Sequence, residues 1–222
     1  MKPIIEKIKL HYLNFARRIG RRFLYFLKRD LSDCESILDL GCGWNSPVRH
    51  CDAPFKVGVE LFDPYLEEAK KNKIHNQYIK ADVTEVEFKP KSFDAVVMAD
   101  VLEHLTKEDG YKLLKKMEIW AKKKIIILTP NEFIENDLFN GNRLQEHRSG
   151  WSVDELKKAG FKVRGCNGWK PLKGKATLLK YKPWIFWETI SRLSQEITYF
   201  FPKLAWHLYA VKELDPKNPQ IS

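Results

Sequence analysis

The stretch ILDLGCG, residues 37–43, decides the fold of this chain. Its first four residues form a short, mainly apolar run of the kind that makes a buried strand. Gly41 and Gly43 then indicate a tight turn, because glycine reaches positive φ angles and lets a ligand approach the backbone closely. Residues 37–43 therefore predict a buried strand that ends in a turn suited to binding.

Outward from this stretch, short apolar runs alternate with segments of helical character. Further strands are predicted at 56–60, 78–82, 93–99, 124–129 and 161–164. Helices are predicted from about 64 to 71, from about 107 to 121, and from 152 to 160, where Ser152 and Glu155 have capping-box spacing. Because parallel neighbours need crossover connections, this alternation predicts an α/β fold with a mostly parallel sheet and helices on both faces.

Acidic residues occur where the predicted strands end, and ligands of such sheets bind beyond the carboxyl ends of the strands. Glu60 could accept hydrogen bonds from both hydroxyls of a ribose, and Asp82 could accept one from an exocyclic amine. Asp39 could face an ammonium group. Each acid alone is equally consistent with a cap, a turn or a solvated strand end, so the argument rests on their occurrence together.

The segments ILDLGCG, GVELFDP, IKADVTE and FDAVVMADVLEHL, as an ordered set, resemble the successive motifs of class I S-adenosylmethionine-dependent methyltransferases of type 11 or type 23. The resemblance covers about residues 34–166. It implies a Rossmann-like sheet of seven strands with an antiparallel last strand, which AWHLYAVK at 205–212 fits. It also implies S-adenosyl-L-methionine as the cofactor.

The same resemblance assigns roles to individual residues. Asp39, Gly41 and Gly43 are expected to border the methionine part of the cofactor, Glu60 to hold the ribose, Asp82 to lie at the adenine and Asp100 beside the cofactor. The neighbouring residues Cys42, Leu61 and Val83 complete the expected cofactor-binding set. A nicotinamide-dependent dehydrogenase is disfavoured, because its phosphate-binding fingerprint needs a third glycine at position 46, which is Ser46.

Asp100, Glu103 and His104 follow the fourth predicted strand and are candidates for the chemistry. His104 is the candidate general base, since imidazole titrates near neutral pH, and its alternative role is to orient the loop or pack on the cofactor. We assign no metal, but D-x-x-E-H is similar to the E-x-x-E-H metal motif of some quinone and small-RNA methyltransferases. A divalent site that includes His147 therefore stays an alternative, although the first acid is Asp and Leu105 stands where the RNA enzymes have histidine.

His147, Arg148 and Trp151 form a polar and aromatic cluster after the fifth strand, in a region that borders the acceptor pocket in the family. We expect all three to contact substrate. The alternative for Trp151 is packing at the start of the helix that follows it.

Two segments outside the core combine bases with apolar stripes. Residues 1–30 contain nine bases and two acids within a net charge of +10, and predict a basic amphipathic helix or lid. Residues 167–204 predict an aromatic and basic helical insert within a methyltransferase domain at 31–222. Either helix could lie on an anionic membrane, cover the protein's own core or form an oligomer seam.

Composition excludes several other classes of protein. The four cysteines lack C-x-x-C spacing, so neither a disulfide scaffold nor a zinc site is expected. Bases interrupt the apolar stretches near the start and no 18 apolar residues run together, so we expect neither a signal peptide nor a membrane span. We expect a cytoplasmic enzyme, with peripheral contact at the inner membrane face as an open alternative. HRSGWSVDELKKAGF resembles family members linked to surface polysaccharides.

The sequence thus predicts methyl transfer to a hydroxyl of a small, amphiphilic or lipid-linked, cell-envelope glycan acceptor. No RNA-binding module is evident, so nucleic acid is not the expected partner. An RNA methyltransferase, or a membrane-peripheral protein that binds the cofactor without catalysis, are the alternatives.

Overall fold

The computed structural model describes residues 22–135, 142–174 and 178–214. The strands are β1 Ser36–Leu40, β2 Phe55–Glu60, β3 Gln77–Lys80, β4 Phe93–Ala99, β5 Ala121–Pro130, β6 Lys162–Trp169 and β7 Ala205–Glu213. The α-helices are α1 Arg22–Asp30, α2 Asp63–Lys71, α3 Lys107–Trp120, α4 Val153–Lys158 and α5 Trp184–Phe200.

The strands form one seven-stranded sheet in the order β3-β2-β1-β4-β5-β7-β6. Neighbours from β3 to β5 pair in parallel, whereas β7 lies antiparallel between β5 and β6. This confirms the predicted sheet and its antiparallel last strand. Strand order reverses between β1 and β4, and such a reversal opens a crevice at the carboxyl ends of the strands.

Alternating residues of the central strands build two core layers, because successive side chains point to opposite faces of a sheet. Leu38 and Met98 pack with Trp120 of α3 on one face, while Ile37 and Val97 pack with Leu27 of α1 on the other. The predicted arrangement, with helices on both faces, is therefore confirmed. All four cysteines are buried free thiols.

Local details refine the sequence-based boundaries. The capping box of Ser152 and Glu155 forms at α4, as its spacing predicts. β6 extends to Trp169, beyond the predicted end at 164, because it pairs with β7 along most of that length. Residues 1–21 of the predicted N-terminal helix lie outside the described residues, and α1 holds only its last part.

None of the helices that the structure describes has both the length and the apolar character required to cross a membrane.

Candidate active site

A cavity of about 830 Å³ lies at the carboxyl ends of β1 to β4. Its volume falls within the range of small-molecule sites, roughly 300–1,000 Å³. The structure brings most of the expected residues to this cavity: Gly41, Cys42, Gly43, Glu60, Leu61, Asp82, Val83, Asp100, His104 and Arg148. Asp39, His147 and Trp151 are not among its lining residues.

The turn after β1 supplies a bare backbone surface. Gly41 has φ +65°, and a Cβ there would lie 2.4 Å from Cγ2 of Val101, so both backbone angle and space require glycine. Gly43 has φ +55°, and a Cβ built on it meets no atom within 4 Å. The backbone of Gly43 therefore faces open space in the cavity, where a ligand can approach it.

Glu60 is held at the end of β2 by two backbone groups. Gly43 N–H donates to Oε2 at 2.9 Å and Phe62 N–H donates to Oε1 at 2.8 Å. Burial raises the pKa of the Glu60 carboxyl, while these backbone hydrogen bonds oppose the rise. Each carboxylate oxygen can accept a further hydrogen bond, so the group is oriented to receive two neighbouring hydroxyls.

Asp82 lies in the turn after β3 and is oriented by Thr84. Both the backbone N–H and the hydroxyl of Thr84 donate to Oδ1 of Asp82, at 2.8 and 2.7 Å. One carboxylate oxygen is thereby fixed, which sets the direction of the other. Val83 beside it lines the cavity with an apolar side chain, as the flank of a planar base requires.

Asp39 is placed differently from the expectation that it borders the cofactor. Its side chain is buried within the sheet layer, and Nε2 of His75 lies 2.8 Å from Oδ2 of Asp39. Gly58 makes room for this pair, because a Cβ there would be 2.8 Å from Nδ1 of His75. Asp39 is thus corrected to a buried residue that pairs with His75 and is not among the residues that line the cavity.

The cofactor half of the cavity fits S-adenosyl-L-methionine on this geometry. The Gly43 backbone leaves a cradle that a side chain would occupy, and Glu60 presents two oriented acceptors 17 residues further along the chain. Asp82 and Val83 add an acceptor and an apolar wall. These are the groups that a ribose diol and an adenine need.

Asp100 and His104 form the opposite side of the cavity. Asp100 adopts φ +54°, a left-handed conformation that aspartate tolerates better than most residues, and its Oδ1 lies 3.3 Å from Nε2 of His207. A single 3₁₀ turn, Leu102–His104, follows it. Because of this backbone path Asp100 is exposed while Glu103 is buried, so the two acids lie in different surroundings.

His104 carries a neutral imidazole toward the cavity. Its Nδ1 lies 3.1 Å from the carbonyl oxygen of Glu146, and only a protonated Nδ1 can donate to that acceptor. Nε2 of the neutral ring then carries the lone pair. Burial lowers the pKa of His104 below its ordinary value, which keeps the ring neutral near pH 7.

Glu103, His104 and His147 could hold a divalent cation. One potential ligand atom from each lies within 4.8 Å of the others, and the two imidazole rings have centroids 5.0 Å apart. Two imidazoles and a carboxylate suit zinc and other first-row metals. Asp100, which the sequence had placed beside this set, is not part of it.

Trp151 is a core residue rather than a substrate contact. It is completely buried, and its Nε1–H donates to the hydroxyl of Ser149 at 3.0 Å. Its ring lies against Gly110 of α3, where a Cβ would be 2.5 Å away. The expectation of substrate contact is therefore corrected to packing at the start of α4, because α3 approaches too closely to leave an opening.

Arg148 reaches the cavity, while His147 lies behind it. The backbone N–H groups of Arg148 and Ser149 both donate to the carbonyl oxygen of Glu103, at 2.8 and 3.0 Å. This contact attaches the segment before α4 to the 3₁₀ turn. Nδ1 of His147 contacts the carbonyl oxygen of Ile134, which orients its ring toward His104.

Other lining residues had no sequence motif to mark them. Phe23 and Leu24 of α1 line the cavity, as do Arg143, Leu144 and Gln145 of a short 3₁₀ turn. Phe23 belongs to the apolar stripe predicted for residues 1–30. The interpretation of that segment as a lid is the sequence signal that could have placed Phe23 at the cavity. The turn at 143–145 carried no signal, because tertiary contacts alone bring it to the cavity.

Comparisons of sequence agree with this arrangement. Residues 38–127 match a family model described as a methyltransferase domain. A protein of Clavispora lusitaniae named sterol 24-C-methyltransferase is 29% identical over an alignment of 149 residues, and the match covers 60% of this chain and 37% of that protein. One of the same name from Candida albicans is 32% identical over 116 residues, 45% and 31% of the two chains. This chain spans about a third of the length of these relatives.

Solved structures share the fold at low identity. An S-adenosylmethionine-dependent methyltransferase from Archaeoglobus fulgidus superposes with a TM-score of 0.55 at 19% identity, covering 91% of this chain and 94% of that one. Magnesium protoporphyrin IX methyltransferase from Synechocystis, solved with S-adenosylmethionine bound, gives 0.50 at 14% identity, covering 90% and 80%.

Proposed function

We propose that this chain, whose residues 38–127 match a methyltransferase-domain model, is a class I S-adenosylmethionine-dependent methyltransferase that transfers a methyl group to a hydroxyl of a small amphiphilic acceptor. Lipid-linked or cell-envelope glycans are the acceptor class. The observation that carries the proposal is that one cavity joins Glu60 and Asp82, which suit a nucleoside, with the neutral imidazole of His104.

When bound, S-adenosylmethionine supplies an electrophilic methyl group on a sulfonium that leaves as a neutral thioether. The residues of this chain need only hold, align and dehydrate the reactants, effects worth about 7–11 kcal/mol in well-oriented model systems. Glu60 and Asp82 hold the two ends of the nucleoside, and the bare backbone at Gly43 admits its close approach. Phe23 and Leu24 of α1 form an apolar wall that excludes water.

His104 accepts the proton of the acceptor hydroxyl. As the acceptor oxygen forms its bond to the methyl carbon and the carbon–sulfur bond breaks, the hydroxyl proton passes to Nε2 of His104. The contact between Nδ1 of His104 and the carbonyl of Glu146 is retained and helps to stabilise the resulting imidazolium. Arg148 at the same side of the cavity offers a donor to an acceptor oxygen, a role that we propose for it.

The amphiphilic acceptor is supported by two observations. The wall from α1 is apolar, and both curated relatives carry names that refer to a sterol substrate. The names of those relatives refer to methylation at a carbon atom of a sterol. His104 beside the cavity suits a different nucleophile, an oxygen that must lose a proton. The supported class is therefore an amphiphile with a reactive hydroxyl.

Calorimetric titration and a tritiated-methyl assay test the proposal together. We expect the full chain to bind S-adenosylmethionine but not nicotinamide dinucleotides, and to label a membrane lipid extract rather than total RNA. The Glu60→Gln variant, whose binding of S-adenosylmethionine should be at least about tenfold weaker, is the matched control and should label the lipid extract much less at subsaturating S-adenosylmethionine. Label in RNA alone would replace the acceptor class, binding without label would indicate a non-catalytic protein, and absence of binding would overturn the proposal.

A further inference from the structure

Helix α5 presents polar side chains to the protein and apolar side chains to its surroundings. Ser191, Gln195 and Thr198 are buried beneath it. Leu193, Ile197 and Phe200 alternate with these buried residues along the helix, and their side chains are 67%, 58% and 73% exposed. This is the reverse of the pattern by which a surface helix covers a core.

Hydrogen bonds fix the polar side of α5 against β6. The side-chain amide of Gln195 donates to the carbonyl oxygen of Gly165 and accepts from the N–H of Gly168, both at 3.0 Å. The backbone N–H of Trp169 donates to the hydroxyl of Ser194 at 2.9 Å. Rotating the apolar face inward would break these bonds and leave buried polar groups unpaired, which is costly.

Close backbone packing adds to this constraint. A Cβ at Gly165 would lie 2.1 Å from the carbonyl oxygen of Thr198, and one at Gly168 would lie 2.3 Å from that of Ser191. The two glycines of β6 thus leave no space for larger side chains beneath α5. The outward direction of the apolar face is built into both elements.

The exposed apolar surface begins at the first residue of the helix and continues beyond its C-terminal end. We define the α5 face by its exposed members: Trp184, Ile185, Phe186, Leu193, Ile197, Phe200, Phe201 and Leu204. An apolar surface of this extent on one helix is unusual for a protein that has no partner there.

The α5 face is flanked by a basic segment. Residues 178–183, which lead into α5, contain the exposed Lys180 and Lys182 and no acidic residue. Nζ of Lys182 lies 5.6 Å from the ring centroid of Trp184, where the helix begins. A tryptophan beside lysine is the pairing found where helices meet the headgroup level of a bilayer.

We propose that the α5 face, together with Lys180 and Lys182, docks this protein on the surface of an anionic lipid bilayer. The helix lies in the plane of the surface with its apolar side chains in the acyl boundary and these two lysines at the headgroups. A second copy of the chain suits the face less well, because two pairs of like-charged lysines would be brought together.

Helix α1 connects this surface with the cavity. The ring of Phe26 stacks on that of Tyr199 in α5 with centroids 4.8 Å apart, while Phe23 and Leu24 of α1 line the cavity. One short helix therefore separates the proposed bilayer contact from the proposed site of an amphiphilic acceptor. The docking inference does not depend on methyl transfer, and it can be tested without turnover.

Vesicle sedimentation with the full chain tests the docking surface. We expect binding to vesicles of phosphatidylcholine with roughly 30% phosphatidylglycerol and much weaker binding to phosphatidylcholine alone. Leu193→Glu should lower the partition coefficient at least about tenfold, because it replaces an exposed apolar side chain that would enter the acyl boundary with a negatively charged one. Ile119→Glu, the same kind of change at an exposed position of α3, is the matched control and should retain binding.

The basic segment makes a second, separable contribution. Lys180→Gln combined with Lys182→Gln should weaken binding to the anionic vesicles at least about fivefold. S-adenosylmethionine binding, followed by calorimetry, should be unchanged in every one of these variants, because none of the substituted residues lines the cavity.

Three results would overturn the inference. The first is absence of vesicle binding by the unaltered chain. The second is equal binding by the Leu193→Glu and Ile119→Glu variants, which would place the contact elsewhere in the chain. The third is a dimer in sedimentation equilibrium that Leu193→Glu dissociates in the absence of lipid, which would assign the face to a second copy. A failure of methyl transfer alone would leave the vesicle results standing.

Discussion

The two sides of the cavity are held in place by different kinds of contact. On the side after β1 to β3, backbone N–H groups of the turns at the strand ends hold the carboxylates. Gly43 in the turn after β1 and Phe62 in the turn after β2 do this for Glu60. On the side after β4, segments more than 40 residues apart hold each other, as the Glu146 carbonyl does for His104. The first side is organised by the sheet itself, and the second depends on how distant loops dock.

This difference has a functional meaning. A ligand common to a whole family needs the same acceptors in the same places, which strand ends supply. An acceptor that varies needs surfaces that loops can change without disturbing the sheet. Variants on the two sides should therefore separate cofactor affinity from turnover.

The largest effect is expected on the side after β4. His104→Gln should lower kcat at least about 100-fold, because the proton of the acceptor hydroxyl loses its base. The affinity for S-adenosylmethionine should stay within about twofold, since Glu60 and Asp82 are untouched. Initial rates in the tritiated-methyl assay and calorimetry measure the two quantities.

Another histidine at the cavity provides the control for this variant. His50 lines the cavity next to the β1 turn, and His50→Gln should change kcat by less than about threefold. A loss below fivefold in His104→Gln would remove His104 from the role of base. If chelation abolishes turnover of the unaltered enzyme and Mn²⁺ or Zn²⁺ restores it, His104 is instead a metal ligand with Glu103 and His147.

The next effect compares two acids on the side after β1 to β3. Glu60→Gln should weaken S-adenosylmethionine binding at least about tenfold, because a glutamine NH₂ must face one of the two backbone N–H donors. Asp82→Asn should cost only several-fold, because its remaining oxygen can still accept both bonds from Thr84. Titration calorimetry gives both constants, and the reverse order would contradict the assignment of Glu60 as the principal anchor.

The smallest effect concerns the stability of the side after β4. Burial, with the charge of Asp100, raises the pKa of Glu103 well above its ordinary value. The folded state then binds this proton more tightly than the unfolded state, so its contribution to stability is full below the ordinary pKa and is lost as pH rises through the raised one. Glu103→Gln, which resembles the protonated form, should raise Tm at pH 8 by roughly 2–4 °C for each kcal/mol gained.

Thermal unfolding in a chelator at pH 8 and pH 5 measures this effect, and the difference between the proteins should shrink at the lower pH. A lower Tm for Glu103→Gln at pH 8 would show that the carboxylate is stabilised by a partner. If added Mn²⁺ raises Tm of the unaltered chain and leaves that of the variant unchanged, the cluster with His104 and His147 binds the cation.

The sequence predicts the two sides of the cavity to different extents, for the same physical reason. The alternation of strands and helices, the β1 turn and the positions of Glu60 and Asp82 follow from local patterns, because parallel strands must end at one edge. His104 was found from its place after β4. Phe23 and the 143–145 turn could not be predicted as lining residues, since only tertiary packing brings them there.

Asp39 and Trp151 show where sequence pattern is ambiguous. An acid two residues before a glycine turn can point to either face of the pleat, and the space under Gly58 directs Asp39 to His75. A tryptophan before a capping box can contact a ligand or pack in the core. The close approach of Gly110 to the Trp151 ring packs this tryptophan in the core. In both cases a glycine on a neighbouring element set the outcome.

The contact between Gly41 and Val101 is where the two sides of the cavity touch. Because Cγ2 of Val101 occupies the space of the missing Cβ, a shift of the loop after β4 presses directly on the backbone of the β1 turn. A ligand that shifts this loop from one side would therefore change the free energy of filling the other, and thermodynamic reciprocity would make that influence equal in both directions. For the proposed methyl transfer, this van der Waals contact is the place where the order of substrate entry and the affinity for the demethylated product would be linked.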